Sequence, residues 1–212
     1  FSTLVGLFEK PAAGGEDTPI TGTGNHYAIF PEGMSKDGKW LVYVATGNTG
    51  WDIWGLSLAD RKSRPIIEAP ASQAQASLSP NGRWLAYASD ESGSWEVYVQ
   101  PFPEGAGKWQ VSAGGGSQPR WRGDGKEIYY IDREGQLTVV TVDAASAFEI
   151  GARRPLFRTR VGAMLAPFRI NYDLAPDGQR FLINSPLTDP DPTRITIVLN
   201  WQAGLDARSR VP

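Results

Sequence analysis

The chain has 212 residues, enough for one domain or part of a larger one, and 41% of them are hydrophobic, with eight Trp, eight Phe and seven Tyr to build a core. A formal net charge of -2, with no run of like charges, gives no electrostatic footprint for nucleic acid or an anionic membrane surface. The absence of cysteine excludes disulfides, thiol catalysis and Cys-ligated zinc, and no apolar stretch approaches the roughly 18 residues of a membrane span.

The chain opens on Phe1 with no signal-peptide pattern, which reads as a processed or excised piece. Leu7-Phe8-Glu9-Lys10-Pro11 reads as a strand and Pro19-Ile20-Thr21 as its successor. From there one short pattern appears four times: Met34-Ser35-Lys36-Asp37-Gly38-Lys39-Trp40-Leu41, Leu78-Ser79-Pro80-Asn81-Gly82-Arg83-Trp84-Leu85, Trp121-Arg122-Gly123-Asp124-Gly125-Lys126-Glu127-Ile128 and Leu174-Ala175-Pro176-Asp177-Gly178-Gln179-Arg180-Phe181. The glycines lie 44, 43 and 53 residues apart. A period of that size is the mark of a repeat architecture.

Each copy predicts the same strands. One ends in the apolar residue four before the glycine, and the Asp-Gly or Asn-Gly pair is the hairpin turn, because these residues tolerate positive φ. A second strand follows in Trp40–Val44, Trp84–Ala88, Ile128–Ile131 and Phe181–Ile183. A third follows in Asp52–Leu56, Glu96–Val99, Leu137–Val140 and Ile195–Leu199. A weaker fourth lies at Pro65–Ile67, Trp109–Val111 and Pro155–Phe157. The runs are nearly continuous in apolar residues, so both faces of each sheet are expected to be covered.

Four strands per unit of about 40–45 residues, each unit covered by its neighbours, predicts an all-β propeller of four-stranded antiparallel blades. A β-sandwich is the competitor, but it needs no such matched repeats. Residues 1–30 would hold the outer half of a preceding blade, and 31–74, 75–117, 118–170 and 171–212 successive blades. Four blades and a half do not make a common closed ring. The expectation is the C-terminal part of a larger propeller, or fragments that pair through unpaired strand edges.

The segment Ser79-Pro80-Asn81-Gly82-Arg83-Trp84-Leu85-Ala86-Tyr87, with Ser89–Gly93 and Glu96–Val99, resembles the TolB-like, WD-related propeller repeat. The continuation Pro101-Phe102-Pro103, Gly107–Ser112, Gly114–Gly116 and Gln118–Trp121, and the ending Asp177–Leu182 with Leu199-Asn200-Trp201, resemble the C-terminal propeller region of bacterial serine/threonine protein kinases. Lys36 and Gly123 stand where that pattern usually has proline, and an insertion precedes Asn171. The resemblance implies a sensor or scaffold that binds a protein or peptide, without cofactor or metal, beside a separate catalytic domain and outside the cytoplasm. The kinase motifs are absent: there is no Gly-rich phosphate loop, no His-Arg-Asp and no Asp-Phe-Gly. The alternative is the propeller of an enzyme, either the gating half of a prolyl-oligopeptidase-type serine peptidase or a glycosidase.

No catalytic set is expected within the chain. The sole histidine, His26, falls in a loop, and no Gly-x-Ser-x-Gly elbow occurs. Asp90-Glu91 and Asp132-Arg133-Glu134 place carboxylates in the loop between second and third strands. A glycosidase pair would need them about 5–9.5 Å apart; solvated loop acids are the ordinary outcome. Neither cluster has EF-hand spacing. Arg122-Gly123-Asp124 spells an adhesion tripeptide but coincides with the repeat turn, and Gly114–Ser117 reads as a connection between blades before it reads as an anion nest. Trp54 is in phase with Tyr98 and is expected to pack between blades. Trp51 and Trp95, just before third strands, are candidate sugar or peptide contacts.

The register yields one more set. Seven residues before the repeat glycine stand Pro31, Gln75, Gln118 and Asn171; two residues on, Arg120 and Asp173 interrupt a small-residue position held elsewhere by Gly33 and Ser77. The innermost strands of a propeller line its channel. These residues are the expected ligand site at its mouth, against a bland reading as solvated channel lining.

Overall fold

The computed structural model of the protein describes residues 6–21, 26, 28–47, 50–161 and 169–185. Sixteen strands and no helix are present among them. Three four-stranded antiparallel sheets follow in order along the chain. The first holds β3 (Ile29–Met34), β4 (Trp40–Thr46), β5 (Trp51–Ser57) and β6 (Lys62–Ile67). The second holds β7 (Gln73–Leu78), β8 (Trp84–Ser89), β9 (Glu96–Pro101) and β10 (Trp109–Gln110). The third holds β11 (Gly116–Trp121), β12 (Glu127–Asp132), β13 (Gln136–Asp143) and β14 (Glu149–Arg158). They are flanked by two-stranded sheets, β1 (Leu7–Glu9) with β2 (Thr18–Thr21) and β15 (Tyr172–Leu174) with β16 (Phe181–Ile183). The strand expected at Ile195–Leu199 lies outside the described residues.

The core sits between the blades. Along β8 every residue is buried, and the side chains alternate: Trp84 and Ala86 pack with Trp121, Ile128 and Tyr130 of the third sheet, Leu85 and Tyr87 with Val42, Val44 and Ile53 of the first. Strand β12 repeats the arrangement, with Ile128 and Tyr130 facing back and Tyr129 and Ile131 facing the β15–β16 pair. Both-face burial is why these strands carry unbroken apolar runs. Each large side chain so buried contributes roughly 1.5–3 kcal/mol.

The repeated turn is built from the same atoms each time. Gly38, Gly82, Gly125 and Gly178 have φ of 70, 70, 74 and 70°. The preceding Asp or Asn does not share the positive φ expected of it. Its side chain instead accepts the N–H two residues on: Lys39, Arg83, Lys126 and Gln179 donate to Asp37, Asn81, Asp124 and Asp177 at 2.9–3.1 Å. In the first two turns a serine finishes the motif, Ser35 and Ser79 accepting the N–H of Trp40 and Trp84. The turns also dock on the next blade: the indole N–H of Trp84 and the guanidinium of Arg83 both donate to Ala144 O.

Candidate functional site

The first strand of each four-stranded sheet carries a bulge at one shared place. The register shifts between Pro31 and Gly33 in β3, Ala74 and Ser77 in β7, and Ser117 and Arg120 in β11. In the second and third sheets the bulge holds a glutamine in the left-handed region, Gln75 at φ 58° and Gln118 at φ 59°. Such a backbone costs roughly 1–3 kcal/mol unless the surroundings hold it.

What holds it is the neighbouring blade. Gln75 and Gln118 are fully buried. Gln75 Oε1 accepts the N–H of Gln118 at 2.8 Å, and its Nε2 donates to Arg169 O at 2.9 Å. Gln118 Oε1 accepts the N–H of Asn171 at 2.6 Å, and its main-chain carbonyl accepts the Tyr172 hydroxyl at 2.8 Å. The amides therefore clasp each blade to the next. A buried polar side chain must find such partners, since an unmet one costs about 1–3 kcal/mol.

The first blade departs from this pattern. Proline fixes φ near −65°, so Pro31 cannot take the glutamine's backbone. The next residue, Glu32, stands in its place, with the Gln75 N–H near enough to its carboxyl to favour the ionised form. A carboxyl lacks the second donor of an amide. Glu32 Oε1 is buried with no hydrogen-bond partner. Burial pushes the pKa of Glu32 up to about 8, against the lowering influence of Arg120 and of the Gln75 N–H. The Arg120 guanidinium, half-buried on β11, donates to its own strand at Pro119 O, 3.2 Å away. Among the described residues it makes no salt bridge.

Thus the first strands of neighbouring blades bring together a cation and a carboxyl that can donate when protonated and accept when ionised. Such a pair can hold a polar group of a ligand. Asp173 is exposed at the next inner strand, its Oδ1 accepting the N–H of Leu174 at 2.9 Å, and Asn171 is half-buried against Gln118.

The remaining sequence candidates are placed elsewhere. Asp90 accepts the N–H of Ser72 at 2.8 Å, fastening the connection into the second blade. Asp132 accepts the N–H groups of Glu134 and Gln136, both at 2.9 Å, closing its own loop. Trp51 lies against Phe30, ring centroids 5.7 Å apart, and packs on the core between the first two blades. Trp95 is half-buried and borders a groove of about 460 Å³ with Gly115, Gly116, Asp132 and Arg133. The neighbouring glycine N–H groups are directed inward, Gly115 to Glu96 Oε1 and Gly116 to Trp95 O, so they offer no anion nest. Arg122 and Asp124 of the adhesion-like tripeptide pair with each other through two hydrogen bonds of 2.7 and 2.8 Å, which holds the Asp124 carboxyl well below its usual range. His26 bonds Thr46 O at 2.6 Å and packs edge-on against Trp54.

Sequence reading missed Glu32. Aligning on the turn glycine put Pro31 in the glutamine's place, and the bulge moves the side-chain oxygen one residue on. The available signal was a carboxylate at a position held by Ala76, Pro119 and Tyr172 in the other copies.

No family model and no curated protein matches the chain. Solved structures do. TolB from Acinetobacter baumannii superposes with a TM-score of 0.60 at 20% identity, over 82% of this chain and 41% of that one. A putative TolB from Agrobacterium tumefaciens gives 0.54 at 19%, over 72% and 57%. A puromycin-hydrolyzing peptidase from Mycobacterium tuberculosis gives 0.51 at 18%, over 68% and 22%. The chain spans less than two thirds of the length of any of the three. At these identities the likeness is one of fold, and that fold is the β-propeller.

Proposed function

We propose that this chain is a non-catalytic binding module, part of a larger propeller protein, that holds a peptide or a segment of a partner protein at the channel mouth. The observation that carries the reading is the buried, unpartnered carboxyl oxygen of Glu32 beside Arg120, at the place where each of the next two blades commits its glutamine amide to the blade that follows. A polar group of the ligand would supply the partner that Glu32 lacks, with Arg120 setting its charge and Asp173 and Asn171 bordering the approach. Kinase-linked sensing, from the sequence resemblance, is the context proposed for it. The reading assigns no reaction to the chain.

A solution library of short peptides, screened by fluorescence anisotropy against the wild-type chain and Arg120→Ala, tests it. Peptides that bind the wild type and lose roughly tenfold in affinity, about 1.4 kcal/mol, on Arg120→Ala are the expected result. A screen in which every bound peptide binds Arg120→Ala equally well would overturn the assignment. So would hydrolysis of the library that survives repurification and is lost in a Glu32→Gln variant.

A further inference from the structure

Strand β14 differs from the outer strands of the other two blades. It runs ten residues, Glu149–Arg158, where β6 has six and β10 two. It closes its sheet order, so its outer row of N–H and C=O groups has no strand beside it among the described residues. Nearly all of it is exposed.

Its charge is also distinctive. Arg153, Arg154 and Arg158 lie in the strand and Arg160 just beyond, against a single carboxylate, Glu149. The first three of these arginines form no salt bridge among the described residues; Arg153 Nε donates instead to Val111 O, 2.7 Å away on the second blade. Cross-strand partners share a face. Arg153 pairs with Val140 and Arg154 with Val139, so they project to opposite faces of the sheet at adjacent positions. Phe157, 41% exposed, lies beside them and contacts Phe181 at 5.7 Å.

Charges and a proline on an edge are the usual defence against edge-to-edge pairing. That defence is selective. A second copy of β14 would bring arginine against arginine, which opposes pairing, whereas carboxylates directly opposite would favour it. We propose that the outer edge of β14 is a docking strip for an extended, acidic segment of a partner protein, added as a fifth strand with its carboxylates on Arg153, Arg154 and Arg158. The strip is on the outer rim and does not depend on the channel-mouth reading.

The test uses the full chain and two short synthetic peptides, one repeating threonine-glutamate-glutamate so that carboxylates reach both faces of the added strand, the other repeating threonine-lysine-lysine. The glutamate peptide should bind in low salt, slow amide hydrogen exchange within Arg153–Arg158, and weaken roughly tenfold in an Arg153→Glu, Arg154→Glu, Arg158→Glu variant; the lysine peptide should not bind. Arg154→Glu alone, with its denaturation midpoint measured, separates lost docking from lost folding. Equal binding by the triple variant, protection at some other strand, binding by any polyanion without protection of β14, or wild-type dimers joined through β14 would each overturn the proposal.

Discussion

The inner strands of the second and third blades and that of the first solve one packing problem in two ways. Each must offer a side-chain oxygen to the N–H of the following blade. Gln75 and Gln118 do so with an amide, at the expense of a left-handed backbone, and Gln75 directs its NH2 onward to Arg169 O. In the first blade proline bars that backbone and Glu32 turns a carboxyl toward the Gln75 N–H instead, leaving one oxygen without a partner beside Arg120. The copy that departs from the shared solution is therefore the one that leaves a polar group unspent.

The largest effect is expected from breaking a clasp. Gln118→Val removes the acceptor of the Asn171 N–H and puts a β-branched residue at φ 59°. Roughly 3 kcal/mol of stability should be lost, read as a lower midpoint in chemical denaturation. A change within error would mean that the glutamines are lining and not fasteners.

Glu32→Gln converts the first blade to the chemistry of its neighbours. The folded-state pKa of Glu32 is raised from 4.5 to about 8 by burial, so between those values the folded chain holds a proton that the unfolded chain has released. Stability should fall as pH rises through that window, at up to about 1.4 kcal/mol per pH unit, and flatten above it. The variant should lose that slope and be more stable than the wild type near pH 8. Identical pH profiles would remove the distinction between the blades.

Most of the fold was legible because its determinants are local. The Gly38, Gly82, Gly125 and Gly178 turns and the apolar runs after them mark strands that the structure places within one or two residues. The clasp was legible only as a register: Gln75 and Gln118 stand out at matched positions, but that their amides are used between blades depends on a bulge and a positive φ that no residue type announces. Glu32 was hidden by the same bulge. Strand β14 was read as three residues, Pro155–Phe157, because an exposed outer strand needs no apolar pattern, and Arg153 and Arg154 look like loop until the pairing with Val140 and Val139 is seen.

The most direct measurement is a carbon-13 NMR titration of the Glu32 carboxyl. A midpoint near 8 is expected, rising further in Arg120→Ala, because the guanidinium favours the ionised form. A midpoint in the ordinary carboxylate range near 4–5, unmoved by Arg120→Ala, would place Glu32 in water away from Arg120 and contradict the site.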